Sequence, residues 1–160
     1  MTSQATISLI EGTEAPPAPP SLDENSVLAR NKPILLAALA QRGVYSATVT
    51  YAGVGDSGGI ESLAFEIAEG PALDESAIIT VLAQRSQFLD GEWQQFVAEE
   101  EVPIERALRD FVDEALELLH GGWEDGEGAS GKVIFDCSAA TVRIEHMVYF
   151  IDSDCVETTL

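Results

Sequence analysis

Positive charge is scarce in this sequence. Eight Lys and Arg stand against 28 Asp and Glu, which leaves a formal net charge of −20 over 160 residues. So few dispersed cations cannot neutralise a phosphate backbone, so direct binding of DNA or RNA is excluded. An anionic lipid surface would repel the chain for the same reason. Long apolar runs are missing too: no stretch reaches the ~20 residues that a membrane helix needs. The first residues, MTSQATISLIEGTEAPPAPP, lack the basic start and long apolar centre of a secretory signal. A soluble, cytoplasmic protein without a membrane partner is expected. Cysteine is limited to Cys137 and Cys155, with no C-x-x-C pair, which rules out a zinc knuckle. Two reduced thiols are expected. No phosphate loop, Rossmann fingerprint or EF-hand spacing occurs, so no cofactor and no metal site is expected.

Apolar residues make up 46% of the chain, enough to build a core, and the length suits one domain. Four prolines, Pro16, Pro17, Pro19 and Pro20, mark residues 1–20 as a flexible, Pro-rich arm. Residues 21–152 form the domain, and 153–160 an acidic tail. A first helix is predicted from Leu22 to Gln41, with Ser21 as N-cap and Glu24 completing a capping box. Pro33 either kinks this helix or marks its true start, and Gly43 stops it. Val44–Tyr51 reads as a strand with Tyr45, Ala47, Val49 and Tyr51 on one face. Ile60–Ala68 alternates as its hairpin partner across a Gly-rich turn. Residues 69–101 are ambiguous: Ala77–Leu82 fits a strand or a short helix, and Glu92–Glu99 a helix turn.

Val102–His120 carries the strongest helical signal. Pro103 opens it at N1 and Gly121 closes it. Ile104, Leu108, Phe111, Ala115 and Leu118 form its apolar stripe, widened by Val112, Leu116 and Leu119. Arg106–Asp110 and Arg109–Asp113 are i,i+4 pairs. Trp123–Gly131 reads as an acidic, Gly-rich loop. Lys132–Cys137 and Thr141–Ile151 then form a terminal hairpin, with Val142, Ile144, Val148 and Phe150 on one face. Helices and strands do not alternate strictly, so the prediction is α+β: a single domain, an antiparallel sheet of about four or five strands packed by two main helices.

One string and three single residues invite a functional reading. Gly55-Asp56-Ser57-Gly58-Gly59 reproduces the nucleophile string of chymotrypsin-like serine proteases. The required base would have to precede it, yet His120 and His146 both follow, and the chain is too short for a double barrel. A turn rich in glycine accounts for the string. His146, between Glu145 and Met147, shares strand parity with Ile144 and Val148 and reads as a partly buried structural residue. His120 sits at a helix C-terminus, where an imidazolium would meet the negative dipole end. For Trp123 core packing is expected; an exposed Trp in acidic surroundings would instead be an interface anchor.

Two segments, GDSGGIE (Gly55–Glu61) and HGGWEDGEGASGKVIFD (His120–Asp136), together resemble a family of small acidic bacterial proteins of unknown function. Those proteins are often carried by plasmids or phage-like elements. The resemblance covers roughly residues 30–155 and implies no activity. Carriage on mobile elements raises the prospect of an anti-defence or regulatory role. Were the two motifs to meet in space, Asp56, Ser57, His120, Trp123 and Glu124 would form one polar cluster.

The signal that remains is charge. Between Glu99 and Glu127 lie eleven acids: Glu99, Glu100, Glu101, Glu105, Asp110, Asp113, Glu114, Glu117, Glu124, Asp125 and Glu127. Only Arg106 and Arg109 oppose them. A solvated face explains most such surfaces. The sharper expectation is a non-enzymatic inhibitor or DNA-mimic decoy. Its partner would be a basic nucleic-acid-binding protein or complex, such as a bacterial defence nuclease, bound through this face, which would make the chain an anti-defence (anti-CRISPR or anti-restriction) protein. The alternative is a small enzyme or ligand-binding protein centred on Asp56, Ser57 and His120. Whether copies associate is open.

Overall fold

A computed structural model describes residues 26–153 and 155–159, apart from the side chain of Asp56. The arm at 1–20 and the capping residues Ser21 and Glu24 lie outside them.

Helix α1 spans Val27–Gln41. Its N-cap is Ser26, whose hydroxyl accepts from the Ala29 amide at 3.1 Å. Pro33 is therefore an interior residue and not the start of the helix. The helix ends where Gly43 takes φ +80° and its amide reaches the Ala40 carbonyl. Strand β1, Val44–Ile67, is a hydrogen-bonded run of 24 residues. It reverses between Gly53 and Gly58, whose backbones lie against each other, so its two arms act as the expected hairpin. Leu63, Phe65 and Ile67 of the second arm pack on the core, as their alternation predicts. Tyr45, of the same parity as buried Ala47, Val49 and Tyr51, is 44% exposed at the start of the strand, while neighbouring Val44 is buried.

The ambiguous middle forms a β-ribbon. Strands β2 (Ile78–Leu89) and β3 (Glu92–Pro103) pair over their full length, from Ile78 opposite Pro103 to Leu89 opposite Glu92. Ala77–Leu82 is thus largely strand, and the helix turn expected at Glu92–Glu99 is corrected to strand. Asp90 and Gly91, both at positive φ, make a two-residue turn that fixes the hairpin register. At the ribbon's tip Phe88 and Trp93 face each other across the strands, ring centres 5.4 Å apart, and Trp93 is 72% exposed.

Helix α2, Ile104–His120, follows, with Pro103 one residue earlier than expected, at the N-cap. It buries Ile104, Ala107, Leu108, Phe111, Val112, Ala115 and Leu116. Leu118, assigned to that stripe from the sequence, is 58% exposed. Arg109 pairs backward with Glu105 at 3.1 Å in place of the expected Asp113. Strands β4 (Asp125–Asp136) and β5 (Thr141–Val148) complete the chain's regular structure, so most of the expected Trp123–Gly131 loop is strand. Val148 and Phe150 are exposed, against expectation. Cys137 and Cys155 are free thiols.

The fold is α+β, but its strands divide between two antiparallel sheets. One has four strands: the two arms of β1, then β4, then β5. The β2–β3 ribbon is separate. The helices lie between the four-stranded sheet and the ribbon's base. Phe111 of α2 meets Phe135 of β4 at 5.5 Å, and Ile79, Val81 and Val102 of the ribbon join the same core. Burying each such large side chain contributes about 1.5–3 kcal/mol. Asn31, buried in α1, ties ribbon to helix. Its side-chain amide donates to the Leu82 carbonyl and accepts from the Leu82 amide, both at 2.8 Å. The free edge of β2 is closed there by a side chain instead of a third strand. Among the described residues no helix is long and apolar enough to cross a membrane.

Candidate functional site

The acidic residues fall into three settings. Strand parity places Glu100 on the ribbon face that carries Val81 and Val102, and Glu99 and Glu101 on the opposite face. Glu100 borders a cleft of about 270 Å³ between α1, α2 and the ribbon, together with Asp110, Asp113 and Glu114. Glu105, Asp110, Asp113, Glu114 and Glu117 belong to α2. Glu124 immediately precedes β4, and Asp125 and Glu127 lie in its first residues. The expected stripe therefore wraps around the ribbon and one helix.

Most nearby cations are already engaged. Arg85 forms an ion pair with Glu100, Arg106 with Asp110 at 3.5 Å, and Arg109 with Glu105. Asp113 and Glu114 have no such pair among the described residues. Partial burial, and then the Asp110 carboxylate, push both acids above the usual carboxylate range; Arg109 partly offsets the effect at Asp113. Like charges crowd here at a cost to the fold.

The two sequence motifs come together just past the C-terminal end of α2. Gly53 and Gly58 leave room for Trp123: a methyl group at either position would lie 2.9 Å from the indole. At Gly58 it would also sit 3.0 Å from Glu124 Cβ. Trp123 is half-buried and meets Tyr51 edge-on at 5.1 Å, so packing is its role on that side. Glu124 Oε2 is buried without a hydrogen-bond partner. Asp56 stands opposite Asp125 in the β1–β4 register. Ser57 is exposed, and no hydrogen bond among the described residues joins it to His120.

His120 turns to β5 instead. Its ring stacks on that of His146, centres 4.1 Å apart and planes 17° apart. Tyr51, fully buried, reaches His146 Nδ1 with its hydroxyl at 2.6 Å. Burial pushes the Tyr51 phenol up to about 12, so it stays protonated. A phenol that donates to Nδ1 leaves the proton of a neutral His146 on Nε2. Burial, and then His120, lower the pKa of His146. Gly131 permits this packing, since a methyl there would lie 2.6 Å from the Tyr51 hydroxyl. A cavity of about 290 Å³ opens beside the stack, lined by His120, Trp123, Asp125, His146 and Tyr149 among others.

Sequence reasoning singled out His120 and Trp123 but left out Tyr51 and Tyr149, and it gave His146 only a structural role. Strand parity did point His146 and Tyr51 inward. Nothing in the spacing tells that the end of α2 lands on β5. Among the described residues no group of three or more His, Cys, Asp or Glu is arranged to hold a metal ion.

These features define an acidic α+β domain with a carboxylate-lined cleft and a histidine-stacked cavity. The chain belongs to DUF6878, a family of unknown function, whose model matches residues 27–160. Comparisons with curated proteins and with solved structures returned no match.

Proposed function

We propose that this protein is a non-enzymatic, acidic decoy that occupies the basic surface of a nucleic-acid-handling protein. One observation carries the reading: Asp110, Asp113 and Glu114 crowd at a cleft where Arg85, Arg106 and Arg109 are each engaged by a carboxylate. A partner's Lys or Arg side chains would relieve that crowding on binding. At ~1.5 Å per residue, the row from Asp110 to Glu117 extends roughly 10 Å along α2. Glu99 and Glu101 add charge on the far face of the ribbon. The net charge of −20 steers a basic partner toward the molecule before contact.

The finer assignment is an anti-defence role in the bacterial cytoplasm, against a CRISPR-type or restriction nuclease complex. Its support is the motif likeness to proteins carried on plasmids and phage-like elements. The test is capture of partners from host lysate by tagged protein at low and high salt, repeated with Asp113→Asn/Glu114→Gln/Glu117→Gln. The expected result is a nucleic-acid-binding protein held at low salt, released by competing duplex DNA, and lost with the triple variant. A partner held equally by the triple variant, or indifferent to DNA, would overturn the decoy.

A further inference from the structure

We propose that the cavity between the end of α2 and β5 receives a guanidinium group, the head of an arginine side chain on the basic partner. This rests on the decoy reading and says where one of the partner's cations enters. The walls are aromatic. His120 and His146 present stacked imidazoles, and Trp123 and Tyr149 add two further rings. Tyr149 is held at both ends: its amide donates to the Gly128 carbonyl at 2.9 Å, and its hydroxyl meets Ser130 Oγ. Rings fixed in this way offer π faces to a cation without further ordering.

Apart from His120, a basic side chain in the wall itself, the charges at the cavity are negative. The last turn of α2 ends at Gly121, on the cavity wall, and its unpaired carbonyls form the negative end of the helix dipole. Asp125 lines the same cavity and takes part in none of the ion pairs among the described residues. An anionic ligand would be repelled by both. A neutral apolar ligand would strip water from Asp125 and return nothing. His146, held through Nδ1 by Tyr51 and with its protonation disfavoured by burial, adds an imidazole to the wall without a competing positive charge. A planar head stacks on these rings while its fork of N–H donors meets the Asp125 carboxylate, which favours arginine over lysine.

The probe is Nα-acetyl-arginine amide, titrated into the full chain carrying Trp93→Phe, so that Trp123 is the only fluorescent indole. The neutral isostere Nα-acetyl-citrulline amide and free arginine are titrated in parallel. Saturable change with the arginine amide and none with citrulline is expected. Asp125→Asn should weaken the arginine amide about tenfold, the effect of one lost charge-assisted contact. Tyr149→Leu, which removes a wall and no charge, should weaken it as well. Equal responses to arginine and citrulline amides, or an unchanged affinity in Asp125→Asn, would overturn the site. Tighter binding of free arginine than of the capped amide would overturn the assignment to a partner's side chain and mark a site for the amino acid. The two readings separate cleanly. If the amide fails to bind while salt-sensitive capture persists, only this inference falls. If the amide binds while capture fails, the decoy falls and the assignment to its partner with it, while the guanidinium site stands.

Discussion

Neutralising the crowded acids of α2 should stabilise the fold while weakening the proposed interaction. The perturbation is Asp113→Asn/Glu114→Gln. Both acids repel Asp110, from i+3 and i+4 on the same helix, and each such pair costs about 0.2–0.5 kcal/mol. Removing two repulsions and a partial desolvation gains about 0.5–1 kcal/mol, less the weak attraction of Asp113 to Arg109. For an ordered unit of this size that raises Tm by about 2–4 °C. Thermal and urea unfolding at low salt provide the assay, the urea midpoint moving up with the slope unchanged. The sign with pH follows from the raised carboxylates. The folded state holds these protons more tightly than the unfolded state, so the wild-type penalty is present at neutral pH. It disappears as pH falls through and below the carboxylate range. The variant's advantage should vanish there, and shrink in high salt. A double variant less stable than wild type at neutral pH and low salt would refute the crowding argument.

Three further outcomes test the framework. Asn31→Ala removes both bonds to Leu82 and should cost about 2 kcal/mol, with faster amide exchange at Leu82 than elsewhere in β2. Tyr51→Phe removes the hydroxyl from His146 Nδ1, costs about 1 kcal/mol, and should raise the His146 pKa measured by NMR, because a bond accepted at Nδ1 holds only the neutral ring. In wild type, the depressed pKa of His146 means that the unfolded chain binds its proton first. The associated stability is complete above the ordinary histidine value and is lost as pH falls through the folded-state value, which a stability–pH profile of His146→Gln against wild type would reveal.

Reading the sequence recovered elements whose partners are local. α2 announced itself through Pro103, Gly121 and a 3.6-residue stripe, and the arms of β1 through alternation around glycines. The ribbon was missed because its distal half is wet on both faces. Gln84, Ser86, Gln94 and Gln95 give no period of two, and exposed Phe88 and Trp93 imitate core residues. Its register comes from Asp90-Gly91, a turn signal flanked by no clean alternation. The meeting of the GDSG turn with Trp123 was anticipated only as a condition, since a motif pair says nothing of distance. The His120–His146 stack joins a helix end to an edge strand, a tertiary event that no local pattern encodes.

The placement of charge on α2 runs against helix physics in a way bulk acidity does not require. Glu117 sits in the last turn, where the dipole favours cations, and His120 is the only basic residue there. Asp110, Asp113, Glu114 and Glu117 repeat at three and four residues, the spacing at which a lysine would form stabilising pairs. A chain that needed only solubility would lose nothing by such an exchange, and would gain stability. The buried face, from Ile104 to Leu116, absorbs the cost, so the helix survives its own surface. Glu117→Lys therefore separates the explanations. It should raise stability by about 0.5 kcal/mol through the helix dipole and its pairing with Asp113. If capture of a DNA-competed partner then falls, the charge pattern is kept for binding; if capture is unchanged, these carboxylates are ordinary solvated surface.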